Sequence, residues 1–176
     1  MPVVPGALNQ LGFEPVSGRF FRLIRSRFAD QPLAMTGALL EGGRYNVAHS
    51  FGALYLGFDE ETCQFEVQEG VLAGCEIKPG AYVLWDYNVS LEEVVRLDDD
   101  ANCARIGVTQ KEISVPGEHQ WASLIGEPLF ARGLEALVAP SAHRTNGKCL
   151  DIFLDNLRES SKVDARSRVK DWPSVS

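Results

Sequence analysis

Short apolar blocks separated by glycine- and proline-marked turns run along most of the chain. The block at residues 20–25 reads as a first strand, and residues 51–58 as a second. Between them, residues 28–40 are mixed, with room for a short helix, and lead into a turn at two adjacent glycines, Gly42 and Gly43. Asp59 is placed to cap a helix running through Glu60, Cys63, Glu66 and Val67. Residues 74–79 and 81–87 read as two strands paired around Pro79 and Gly80. Residues 91–97 suit either helix or strand, and the run of Asp98, Asp99 and Asp100 reads as a solvated loop. Trp121, Leu124, Ile125 and Leu129 have helical spacing, with Pro128 at a kink and Gly133 at the end. A buried strand over residues 134–141 follows, then an alternating one over residues 149–155 suited to a sheet edge. Residues 1–18 read as an irregular arm and residues 159–176 as a polar, mobile tail. No repeat or second core intervenes. The expected fold class is α/β (α+β), one mixed domain over residues 19–158 with a mostly antiparallel sheet.

Composition agrees with that picture. The chain has 176 residues, 45% hydrophobic and 23% charged, enough for a packed core and too apolar for disorder. A formal charge of −7 argues against direct nucleic-acid binding, although a few placed cations suffice for a small anion. No apolar run approaches the ~20 residues of a membrane span, and the opening residues lack a basic region followed by an apolar run. Cys63, Cys75, Cys103 and Cys149 are widely separated and the three histidines isolated, so neither a metal site nor a disulfide framework is expected. A reduced, cytoplasmic setting follows as the expectation.

Four clusters stand out as chemistry: Phe21-Arg22-Leu23; Gly42-Gly43-Arg44-Tyr45-Asn46; Tyr55 leading to Phe65-Glu66; and Pro140-Ser141-Ala142. Singly, each has a mundane use: a snorkelling arginine, a turn arginine, a solvated helix face, a turn hydroxyl. Together and in this order they resemble the RES-domain toxins, the toxin halves of bacterial RES–Xre toxin–antitoxin modules. The resemblance spans roughly residues 20–156, with the GGRYN turn its most specific piece. Tyr45 stands where the family commonly has tryptophan. Of a family Thr-Gln-x-x-Gly helix, Ala122-Ser123-Leu124-Ile125-Gly126 keeps only the glycine, so Ser123 competes with Ser141 for the serine role.

The resemblance implies a fold similar to ADP-ribosyltransferase catalytic domains, NAD as the substrate with no metal, and an Xre-type antitoxin as partner. It further implies growth arrest by NAD consumption: cleavage of the nicotinamide–ribose bond by an NAD glycohydrolase or NAD phosphorylase. The alternative is mono-ADP-ribosyl transfer to an essential protein such as phosphoribosyl-pyrophosphate synthetase. The acceptor is accordingly water, inorganic phosphate or a protein. Arg22 and Arg44 are the candidates for the diphosphate, since a planar fork suits it better than lysine's point charge. Glu66 would stabilise the positive ribose left by departing nicotinamide, with Arg22 and Ser141 beside it as catalytic candidates. Tyr45 and Tyr55 would flank the nicotinamide, and Ser141 or Ser123 would orient a ribose or phosphate oxygen. Gln64, rather than an acid, lies two positions before Glu66, which leans toward NAD degradation.

Overall fold

The computed structural model describes residues 5–174. Six strands form one sheet: β1 (Phe13–Arg25), β2 (Leu54–Gly57), β3 (Tyr82–Arg96), β4 (Ala136–Pro140), β5 (Lys148–Ile152) and β6 (Lys162–Trp172), in the spatial order β1-β2-β5-β4-β3-β6. Because β1 also pairs with β3, five strands close on themselves and β6 is left outside. Every pairing is antiparallel except β3 with β4. The helices are α1 (Thr36–Glu41), α2 (Glu60–Phe65), α3 (Asp100–Arg105), α4 (Gln110–Ile113) and α5 (Gln120–Ala131). The mixed, mostly antiparallel α+β class is the one observed.

Period-two alternation sorts the side chains of these strands between two faces. Val16 and Phe20 of β1, Leu54 and Leu56 of β2, Val94 of β3, Ala136 and Val138 of β4, and Leu150 and Ile152 of β5 meet inside the ring. The opposite face of the same strands turns outward. There Leu137 and Ala139 pack with α3, α4 and α5, while Phe21 and Leu23 pack with Cys63 and Val67 after the second strand.

β3 serves two neighbours on one edge, in two successive stretches. Its residues 82–90 pair with β6 and residues 94–96 with β4, and between them the β1 ladder slips at Glu14/Val16. Such a bulge leaves amides outside the ladder. The fully buried Glu135 carboxylate collects them, accepting from the Glu92 and Glu93 amides at 2.7 and 2.8 Å and from the Arg158 amide at 2.8 Å.

Several expectations are corrected. Residues 13–18, read as arm, extend β1, and the helical turn Pro5–Gln10 buries Leu8 in the core; residues 1–4 lie outside the described part. Residues 74–79 are not a strand, whereas residues 82–96 are one continuous strand. β5 lies between β2 and β4 rather than at an edge. The expected tail contains β6, paired with β3 from Tyr82↔Trp172 to Ser90↔Lys162. Two irregularities in that ladder interrupt the alternation that marks a strand in sequence. Asp98 is no solvated loop residue either: its nearly buried carboxylate takes both Arg96, at 2.6 Å, and Lys148, at 2.7 Å.

Candidate active site

The GGRYN turn precedes β2 and is fastened to it. Gly42 adopts φ 78°, a conformation that favours glycine, and Gly43 has no room for a side chain, since a Cβ there would lie 2.4 Å from the Tyr55 hydroxyl. That hydroxyl donates to Asn46 Oδ1 at 2.7 Å and accepts from the Tyr45 amide at 3.1 Å. Asn46 in turn donates through Nδ2 to the carbonyls of Ala38, at 2.7 Å, and Phe51, at 2.8 Å. With the turn closed, Arg44 reaches the connection between α4 and α5. Its Nη1 donates to the carbonyls of Ile113 at 3.3 Å, Val115 at 3.1 Å and Glu118 at 3.2 Å.

Across the sheet, α2 starts as its sequence demands: the Asp59 side chain accepts from the Thr62 amide at 2.8 Å. The helix then widens into a π-type turn, Glu66–Val71, which carries Glu66 at its first position. Glu66 Oε1 accepts a short hydrogen bond from the Ser141 hydroxyl and a second from the Ala142 amide at 3.1 Å. The turn after β4 is itself rigid. Ser141 Oγ accepts from the amides of His143 (3.2 Å) and Arg144 (3.0 Å), and the Arg144 side chain returns to Asp59, Glu61 and Thr62 on α2. Glu66 is therefore a half-buried carboxylate fixed by one hydroxyl and one backbone amide.

Between Arg44 and Glu66 the strand floor contributes Tyr55, Cys149 and Asp151, since Tyr55 is paired with Asp151 in the β2–β5 ladder. Burial drives the Asp151 carboxyl well above the usual carboxylate range and the charge of Glu66 drives it further, against an opposing pull from Arg44. Cys149 is pushed up for the same first two reasons. The hydroxyl of Tyr55 is raised by burial and by Asp151, and lowered by its two hydrogen bonds and Arg44. His119, at the start of α5, is held below its ordinary value by burial and then by Arg44 and His143. Asp151, His119 and His143 are site residues that sequence reading missed. The one signal for Asp151 was an acid inside an apolar strand; the histidines are isolated in sequence.

Three sequence candidates lie elsewhere. Arg22 alternates with Phe21, so it faces inward with Phe20; its Nη1 donates to the carbonyls of Pro32 and Ala34, both at 3.1 Å, beside Tyr87. Burial, only partly opposed by Tyr87, holds the Arg22 pKa below its ordinary value. Tyr45 is 1% exposed and packs in the core under α5, where an aromatic ring fills volume and meets no solvent-borne ligand. Ser123 donates to the carbonyl of Gln120 within α5 at 3.1 Å, and it is Ser141 that contacts Glu66. Arg44, Tyr55, Glu66 and Ser141 are the predicted residues gathered on one face. Among the described residues, no group of three or more His, Cys, Asp or Glu is arranged to hold a metal ion, and no helix is long and apolar enough to cross a membrane.

A model of the RES domain matches residues 19–173. The chain belongs to the RES family. The match continues past residue 158, the expected domain end, to include β6. Among solved structures, this RES protein is similar to a chain in the crystal structure of the M. tuberculosis MbcT–MbcA toxin–antitoxin complex. The TM-score is 0.77 at 16% identity, over 94% of this chain and 90% of that one. No curated protein matches it in sequence.

Proposed function

We propose that this RES protein is the toxin of a toxin–antitoxin pair, that it consumes NAD by breaking the nicotinamide–ribose bond, and that an Xre-type antitoxin silences it. The observation that carries this reading is Glu66, fixed by Ser141 and Ala142 on the sheet face that also presents Arg44 and Tyr55.

Each residue then has a task set by the chemistry. The scissile bond joins the ribose anomeric carbon to the nicotinamide nitrogen; its electron pair leaves with nicotinamide, which departs neutral. The ribose carbon becomes oxocarbenium-like, and a carboxylate already in place stabilises that charge without reorganising. Glu66 is that carboxylate, and Ser141 with the Ala142 amide stops it rotating away. Arg44 is anchored through Nη1, while its Nε and Nη2 make no hydrogen bond among the described residues and remain available to the substrate diphosphate. Tyr55, half-buried with its hydroxyl committed to the turn, offers its ring edge to nicotinamide. Water or inorganic phosphate then adds its oxygen to the anomeric carbon and loses a proton. Gln64, two positions before Glu66, supplies no second carboxylate for activating a protein acceptor, which favours the small acceptors.

The test is incubation of the purified protein with NAD, with and without inorganic phosphate. Nicotinamide release with ADP-ribose, or with its 1″-phosphate when phosphate is present, is expected. Transfer of ADP-ribose to a protein in added lysate, with no release by the protein alone, would replace NAD degradation by protein modification. In cells, expression without the antitoxin should arrest growth as NAD falls; arrest at constant NAD would contradict the proposal.

A further inference from the structure

Ser141 and Glu66 stand 75 residues apart in the chain, so their contact is only as well fixed as the joint between the elements that carry them. Glu66 opens the π-type turn that continues α2, and Ser141 opens the turn between β4 and β5. A backbone hydrogen bond ties the two segments where they leave the sheet, from the Phe58 amide to the Lys148 carbonyl at 3.0 Å. The Arg144 side chain makes a second joint, next to the site.

Arg144 is held at both ends. Its amide donates to Ser141 Oγ at 3.0 Å, and its carbonyl accepts from the Gly147 amide at 3.1 Å. Its guanidinium crosses to the start of α2. There Nη1 donates to Asp59 Oδ1 at 2.9 Å, to Asp59 Oδ2 at 2.8 Å and to the hydroxyl of the fully buried Thr62 at 2.9 Å, while Nη2 donates to Glu61. Gly147 lets turn and helix close up: a Cβ there would lie 3.0 Å from both Ser141 Cβ and Thr62 Oγ1. A cation at the start of a helix opposes the helix dipole, which favours negative charge at that end. Asp59 and Glu61 offset the cost, and the ion pairs of Arg144 among the described residues go to them and leave Glu66 unpaired with it. Partly exposed ion pairs add little stability, whereas a planar fork on several oxygens fixes geometry. Placement therefore explains this arrangement better than stability does.

We propose that Arg144 is the positioning residue of the site: it clamps the Ser141 turn to the start of α2 and so sets where Glu66 meets Ser141 and the Ala142 amide. The inference deepens the NAD-cleavage reading and rests on it for its kinetic consequence. Glu66 acts on the charge that develops as nicotinamide leaves, so a slackened clamp lowers kcat rather than substrate binding. Misplacing a reacting group by about 1 Å can cost about 100-fold.

Two measurements test this on the full chain. Amide hydrogen exchange followed by NMR needs no substrate. In Arg144→Ala the amides of residues 142–144 should exchange at least about tenfold faster than in wild type, while those of residues 136–139 in β4 keep their rates. Unchanged exchange over residues 142–144 overturns the clamp. In kinetics, Arg144→Ala should lower kcat for nicotinamide release at least about tenfold, with KM for NAD near that of wild type. Made in Glu66→Gln, the same substitution should lower kcat no further, since Arg144 acts through Glu66. A wild-type kcat in the folded variant, a loss confined to KM, or an undiminished loss in Glu66→Gln overturns the positioning role. Arg144→Lys keeps the charge without the fork and should fall between wild type and Arg144→Ala in both readouts. It carries the test if the alanine variant does not fold, and wild-type values in it would overturn the role of the fork. If exchange behaves as expected while wild type releases no nicotinamide, the clamp stands and the NAD-cleavage reading falls.

Discussion

One glycine and two arginines show how much single residues decide here. A Cβ on Gly126 would lie 1.8 Å from the carbonyl oxygen of Tyr45, so α5 approaches the GGRYN turn through a gap that only glycine leaves. Gly126→Ala should therefore destabilise the protein by about 3 kcal/mol, read from the denaturant midpoint. The neighbour to be displaced is backbone, which cannot swing aside. The arginines separate by role. Arg44→Ala should raise KM for NAD at least about tenfold, because the substrate loses a charged partner, and should also lower the unfolding temperature, because three carbonyls lose their donor. Arg22→Ala should lower stability by about 2 kcal/mol, because two carbonyls lose their donor. An effect of Arg22→Ala on KM larger than that of Arg44→Ala would contradict these assignments. In sequence the two arginines look alike, each beside an aromatic residue. Alternation along Phe20, Phe21 and Arg22 says that neighbours face opposite ways, but which face is the inside of a closed ring is decided by pairings far away in the chain. The same limit hides Tyr45, whose burial depends on α5 packing over it from residues 120–131.

At the scale of elements, the bulge in β3 and the carboxylate that satisfies it act as one device. Burial pushes Glu135 up, but hydrogen bonds from the Arg158 amide and the bulge amides outweigh it, and its pKa lies below the ordinary glutamate value. A carboxylate depressed in the folded state contributes stability that is present above its unfolded pKa of about 4.3 and lost as pH falls through the folded value. Glu135→Gln should accordingly be less stable than wild type at pH 7 and approach it on acidification. Glu135→Ala should cost about 3 kcal/mol, because buried amides at the bulge lose their acceptor. Chemical denaturation at pH 3 and pH 7 measures both; a Glu135→Gln deficit that is the same at the two pH values would contradict the argument. Local signals read well where one element decides its own end, as with the Asp59 cap, Gly133 at φ 78° after α5, and the residues 136–140 strand. They read poorly for β5, where an alternating polar residue suggested a solvent-facing edge. That polar residue is Asp151, which is 2% exposed because the sheet continues on both sides of β5.

For the molecule as a whole, the mostly antiparallel single domain was legible because the turns are marked by glycine and proline. The closure of five strands into a ring was not, since β1 meets β2 through the single pair Phe21↔Gly57. Nor was β6, whose polar face and irregular ladder look like a tail. Its pairing gives a prediction at this scale: a chain ending at residue 161 exposes the edge of β3 over residues 82–90 and strips Asp86 of Ser167. It should aggregate or unfold at a lower temperature than the full chain, by circular dichroism and light scattering; equal stability would contradict a structural β6. Among the gathered residues Arg44, Tyr55, Glu66 and Ser141, Glu66 is the group on which the account turns. The most direct measurement is the rate of nicotinamide release from NAD by wild type and by Glu66→Gln, with matched unfolding curves to show that both are folded. Release by wild type and a loss of at least about 100-fold in the variant are expected. Equal rates from the two proteins would contradict the role of Glu66.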